Sequence, residues 1–65
     1  MRIQVNGVWR ETAVAQLAAA LQELGYGDSI VTTALNGDFV AVGERAATHL
    51  TEGDQLEVLA PMQGG

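Results

Sequence analysis

The sequence predicts an α+β domain, a mixed sheet of about five strands with one main helix packed on one face. Three observations predict it. Two Asn-Gly dipeptides, Asn6-Gly7 and Asn36-Gly37, each sit between short apolar-rich segments, and Asn-Gly is the strongest short-range signal for a two-residue hairpin turn. Between the two hairpins lies one Ala- and Leu-rich run, "TAVAQLAAALQELG". A last alternating segment, "QLEVLA", is followed by Pro61. The order strand, strand, helix, strand, strand, strand within 65 residues points to a β-grasp roll.

Each element has its own reason. In "MRIQVNGVWRET", Met1, Ile3 and Val5 alternate with Arg2 and Gln4, which is the period of a half-buried strand. A two-residue turn sets Val5 opposite Val8, Gln4 opposite Trp9 and Arg2 opposite Glu11, with Trp9 on the face away from Ile3. It also sets Arg10 opposite Ile3, and that pairing leaves a longer loop or a bulge as the alternative. In the helical run Val14, Leu17, Ala18, Leu21 and Leu24 share one face, the alanines raise propensity, and Thr12 is the expected N-cap. Gly25 stands where a left-handed residue ends a helix, with Tyr26 placed to touch Leu21 as in a Schellman motif. Burying each large side chain of that stripe stabilises by about 1.5–3 kcal/mol, so the helix must lie on a sheet.

In "IVTTALNGDFVAV", Ile30, Val31, Leu35, Phe39, Val40 and Val42 are apolar on both parities, so both faces of the second strand pair are expected to be covered or visited. "GERAATHLTEGDQ" reads as an irregular connection with one short helical turn at 45–49. In the final strand Leu56, Val58 and Ala60 fall on one face, and Pro61 ends it because proline donates nothing to a ladder. The expected organisation is a β-grasp domain over 1–60 and an extended C-terminal Gly-Gly tail over 61–65.

Composition removes several function classes. The chain is 48% hydrophobic with a mean hydropathy of +0.14, and no apolar run approaches the roughly 20 residues that span a membrane. "MRIQV" does not resemble a signal peptide, and without cysteine there is no disulfide, thiolate metal site or thiol nucleophile, so a cytoplasmic setting is expected. Three arginines, no lysine and eight acidic residues give a net charge of −5. Scattered cations cannot drive counterion release from phosphate backbones, so nucleic acid is not an expected partner. An acidic surface solubilises the domain and suits a basic groove on a partner protein.

No enzyme constellation stands out. His49 has no second histidine or cysteine to complete a metal site, so a solvated or locally bonded side chain is expected and no metal. Glu52 and Asp54 flank Gly53 in a solvated turn. No glycine-rich run opens a helix, so no phosphate cradle is present and no cofactor is expected to bind. Trp9 is either a partner anchor or a cap on the sheet. The terminus is different. Gly64 and Gly65 lack Cβ atoms, so the end of the chain can lie extended in a channel too narrow for side chains and deliver its carboxylate to another protein's active site. A carboxylate is a poor acyl donor, and adenylation by ATP turns it into a mixed anhydride open to a sulfur or nitrogen nucleophile.

The segments "MRIQVNG", "TAVAQLAAALQELG" and "ALNGDFVAVGERAATHLTEGDQLEVLAPMQGG" together resemble the ThiS family, the ubiquitin-like sulfur carriers of thiamine biosynthesis. The resemblance covers essentially the whole chain, with "NGDFV", "EGDQLEVL" and "QGG" the more specific pieces. It implies a protein that is not itself an enzyme. Gly65 would be adenylated by an ATP-using, E1-like enzyme (ThiF type), converted to a thiocarboxylate with sulfur from a donor such as a cysteine desulfurase, and used by thiazole synthase (ThiG type). Gly64 would be the slim neighbour, and Met62 and Gln63 would line the partner's entry channel. The sheet face away from the helix would dock, with Trp9 and Phe39 as anchors. Three other readings share the pattern: a carrier of another pathway, such as the small subunit of molybdopterin synthase; a ubiquitin-like protein modifier; and a β-grasp interaction module with an inert tail.

Overall fold

The computed structural model describes residues 1–27 and 29–60. These residues form β1 (Arg2–Val5), β2 (Val8–Glu11), α1 (Leu17–Glu23), β3 (Thr32–Leu35), β4 (Asp38–Val40), a 3₁₀ helix (Val42–Ala47) and β5 (Gln55–Leu59). The strands make one sheet in the order β2-β1-β5-β3-β4. The last strand in sequence is therefore the central one, parallel to β1 and antiparallel to β3. This is the mixed sheet with a single main helix that the sequence predicts, a β-grasp roll.

Both Asn-Gly turns are two-residue turns. Asn6 and Gly7 have φ of 52° and 83°, and Asn36 and Gly37 have 51° and 88°, the doubly positive pair that a type I′ turn needs to match strand twist. The first hairpin pairs Val5 with Val8, Gln4 with Trp9, Ile3 with Arg10 and Arg2 with Glu11, without a bulge. Arg10 is tolerated opposite Ile3 because β2 is an edge strand whose residues are all exposed, and a long arginine stem reaches water from there. Ile3 and Val5 of β1 and Leu56 and Val58 of β5 meet Leu17, Ala20 and Leu21 of α1 in the core, with Val31, Val40 and Leu50 around them.

The helix starts later than predicted. Its N-cap is Gln16, not Thr12, and no side chain caps it. Residues before it are drawn into tertiary pairing: Gln16 bridges His49, the Leu17 amide donates to the Thr48 carbonyl (2.9 Å), and the Leu50 amide donates to the Ala15 carbonyl (2.6 Å). That pairing satisfies backbone groups that a longer helix would have used, and it outweighs the intrinsic propensity of the alanines. Val14 lies outside the helix but still packs against the core. Thr12 is buried and its hydroxyl donates to the Glu23 carboxylate instead of capping. The helix ends as predicted: Gly25 has φ of 95°, the Tyr26 amide reaches the Leu21 carbonyl at 2.8 Å, and the Gly25 amide reaches Gln22 at 3.1 Å. Those two bonds are the pair that defines a Schellman motif.

Further differences concern the second half. The short helical turn lies at Val42–Ala47 rather than 45–49. Arg45 ties it to β3, donating from Nε to the Thr33 hydroxyl (3.1 Å) and from Nη2 to the Val31 carbonyl (2.7 Å). The apolar residues on both parities are not all covered, since Ile30 is 84% exposed and Val42 72% exposed. β5 stops at Leu59, so Ala60 does not continue the face of Leu56 and Val58 and is exposed.

Candidate functional site

Because β5 is central, its C-terminal end emerges between two neighbours. On the β3 side Thr32 pairs with Leu59, and the Thr32 hydroxyl donates to the Leu59 carbonyl at 3.3 Å. On the β1 side the Asn6 amide donates to the Leu56 carbonyl at 2.9 Å, after which β1 turns away at Gly7. The Asn6 side chain carries the ladder one step further. Its Oδ1 accepts from the Val58 amide (2.9 Å) and its Nδ2 donates to the Val58 carbonyl (3.0 Å). A carboxamide has the same donor and acceptor as a peptide group, so Asn6 stands in for the missing strand residue.

The opposite end of β5 is tied in the same way. Asn36 Oδ1 accepts from the Gln55 amide (2.9 Å), and Asn36 Nδ2 donates to Asp54 Oδ1 (3.0 Å). Glu52 and Asp54 flank Gly53 in a turn, as the sequence predicts, and their side chains also reach beyond it. Glu52 accepts from the Arg2 amide (3.1 Å), Asp54 accepts from the Thr51 amide (2.7 Å), and Gly53 has φ of 86°. His49 is exposed, and among the described residues no group of three or more His, Cys, Asp or Glu side chains could hold a metal ion.

The face away from α1 carries Arg2, Gln4, Trp9, Gln55, Glu57, Leu59, Ala34 and Phe39, by alternation with the buried residues of each strand. An open depression of about 420 Å³ lies on it, lined by Gln4, Asn6, Gly7, Gln55, Glu57 and Leu59 beside the exit of β5. Trp9 is 48% exposed with the Arg2 guanidinium 5.0 Å from its ring, and Phe39 is 69% exposed. The two aromatics occupy opposite edge strands, four strand spacings or roughly 19 Å apart. They share a face but do not form one cluster. Sequence reasoning passed over Leu59, which is 62% exposed, although its parity opposite to Leu56 and Val58 was a readable signal. The side-chain bonds of Asn6 had no separate signal, because the turn alone accounts for an asparagine there. The sites predicted at Met62, Gln63, Gly64 and Gly65 lie outside the described residues.

Comparison with known proteins supplies the identity of this arrangement. The sequence model of the ThiS family matches residues 3–65. A crystal structure of the thiamine biosynthesis protein ThiS from Geobacter metallireducens is 30% identical, with 100% of both chains covered and a TM-score of 0.83. An NMR solution structure of a thiamine biosynthesis protein from Geobacter metallireducens is also 30% identical, covers 100% of this chain and 88% of that one, and has a TM-score of 0.79. No curated protein matches. The family model matches nearly the whole sequence, from within β1 to residue 65, and the β-grasp fold agrees with that of the Geobacter metallireducens structures, so the chain belongs to the ThiS family.

Proposed function

We propose that this chain is a sulfur carrier of thiamine biosynthesis and that Gly65 is its working group. The observation that carries the reading is the family match, which continues past β5 and includes residues 64 and 65. In the proposed cycle a carboxylate oxygen of Gly65 attacks the α-phosphate of ATP in the site of an E1-like partner, and pyrophosphate leaves. The terminal sulfur of a donor persulfide, such as a cysteine desulfurase forms, then displaces AMP to give an acyl disulfide, and a thiol attacks the donor-side sulfur, leaving a disulfide on the donor and releasing a thiocarboxylate that hands its sulfur to a thiazole synthase. The chain supplies reach, slimness and a docking face, while catalysis and the ATP site belong to the partners. The depression beside the exit of β5 and the exposed Leu59 sit where such a partner would meet the base of the tail.

Incubation with a cognate activating enzyme and ATP is expected to release pyrophosphate, and deletion of Gly65 is expected to abolish the release. Unchanged release from the deleted chain would sink the carrier reading. Intact-mass measurement of protein from the native host is expected to show replacement of one terminal oxygen by sulfur; amide-linked adducts to other proteins in its place would point to a modifier.

A further inference from the structure

We propose that Asn6 is a positioning residue for the terminal tail: its carboxamide holds the last turn-side step of β5 and so sets the point and direction from which the chain leaves the sheet. The proposal rests on the carrier reading above.

The geometry separates two tasks that one asparagine performs. Its backbone has φ of 52°, which the hairpin requires and which glycine meets equally well. Its side chain is not needed for that turn, yet both of its polar atoms are used, and both go to Val58. The N–H and C=O of Val58 point toward β1 at a level where β1 has already turned away, and the carboxamide of Asn6 is the partner both use on that side. On the other side Thr32 holds Leu59. The two side chains together grip the last two residues of β5 from opposite sides. If the grip on Val58 is lost, the last step of β5 held from both sides recedes along the strand, and the end of β5 must be fixed again when the partner binds. Ordering it then draws on binding free energy, which raises KM while leaving the chemical step alone.

Asn36 provides a matched control. It has the same φ within 1°, sits in the same kind of turn, and its carboxamide also bonds β5, but at Gln55, the end remote from the tail. Asn6→Gly and Asn36→Gly each keep a turn-competent residue and remove one side-chain tie. A second variant, Asn6→Asp, keeps the acceptor for the Val58 amide but replaces the donor to its carbonyl with a second oxygen.

The test compares these three variants with the wild-type chain in pyrophosphate release with the activating enzyme, and reads amide hydrogen exchange at Val58 and Gln55. Asn6→Gly, which removes both bonds to Val58, and Asn6→Asp, which removes one and sets a carboxylate oxygen against the Val58 carbonyl, are each expected to raise apparent KM roughly five- to tenfold, with kcat within about twofold. Asn36→Gly is expected to leave KM within about twofold. Exchange at Val58 should accelerate only in Asn6→Gly, and at Gln55 only in Asn36→Gly. Equal KM changes in the Asn6 and Asn36 variants, or undiminished protection of Val58 in Asn6→Gly, would overturn the positioning role while the carrier reading stands. Absence of pyrophosphate release from the wild-type chain would overturn both, and the exchange data distinguish the two failures.

Discussion

At the scale of single residues, the most consequential charge is one that an exposed helix end and a buried threonine share. The Glu23 carboxylate accepts from the Thr12 hydroxyl and from the Ala13 amide at 3.2 Å, and these bonds, the threonine's first, lower its pKa. Hydrogen bonds to the charged form favour ionisation. A carboxyl whose folded pKa is lowered contributes stability that is fully present above the ordinary glutamate range and is lost as pH falls through the lowered value. Glu23→Gln is therefore expected to melt below the wild-type chain at neutral pH. The gap in melting temperature should close as the medium is acidified below the usual glutamate pKa. A gap that stays constant across that range would show that the carboxylate charge is not what fastens Thr12. The same contact explains why Thr12 escaped a sequence reading: a threonine ahead of an alanine-rich run has the signature of an N-cap, and only the fold reveals that its hydroxyl faces the far end of the helix.

At the scale of elements, what was legible and what was not divide by the range of the forces involved. The Asn-Gly turns, the hairpin register and the Gly25 stop depend on a few neighbouring residues, and they stand as the sequence predicts. The helix start depends on residues 48–50, which are far away in sequence and pair with residues 15–17. The carboxamide bonds from Asn6 to Val58 were not legible, because the turn alone accounts for an asparagine at that position. Since α1 has only seven residues, its helical state depends on packing rather than on propensity. Leu17 is fully buried at its start. Leu17→Ala is expected to cost about 2–5 kcal/mol, a large part of the roughly 3–10 kcal/mol expected of a domain this size. Urea unfolding should show a much lower midpoint at an unchanged slope; a midpoint within experimental error of wild type would mean that the helix is not held by this contact.

At the scale of the whole molecule, the domain has two unlike faces. One is sealed by α1, and the other is uncovered among the described residues and carries apolar side chains at both edges and at the exit of β5. A side chain conserving no core contact should be removable at little cost. Phe39→Ser is expected to change stability by less than about 0.5 kcal/mol, and Trp9→Ala by about 0.5–1 kcal/mol through loss of the Arg2 contact. At this separation the two effects should add in the double variant. If the uncovered face docks the activating partner, each substitution raises apparent KM in the pyrophosphate assay while thermal melting barely moves. Unchanged KM in both would place the docking surface elsewhere.

The central position of β5 also bears on biosynthesis. A ribosome makes the two hairpins and the helix first, and none of these can complete a sheet, because the strand that joins β1 to β3 is translated last. Long-range pairing of this kind is slow to nucleate and closes the fold late. A message cut short before the codons for β5 therefore yields two disconnected hairpins rather than a folded protein lacking its tail. The architecture thus couples folding to completion of the central strand, and a chain truncated before Gln55 is expected to stay unfolded and open to proteolysis.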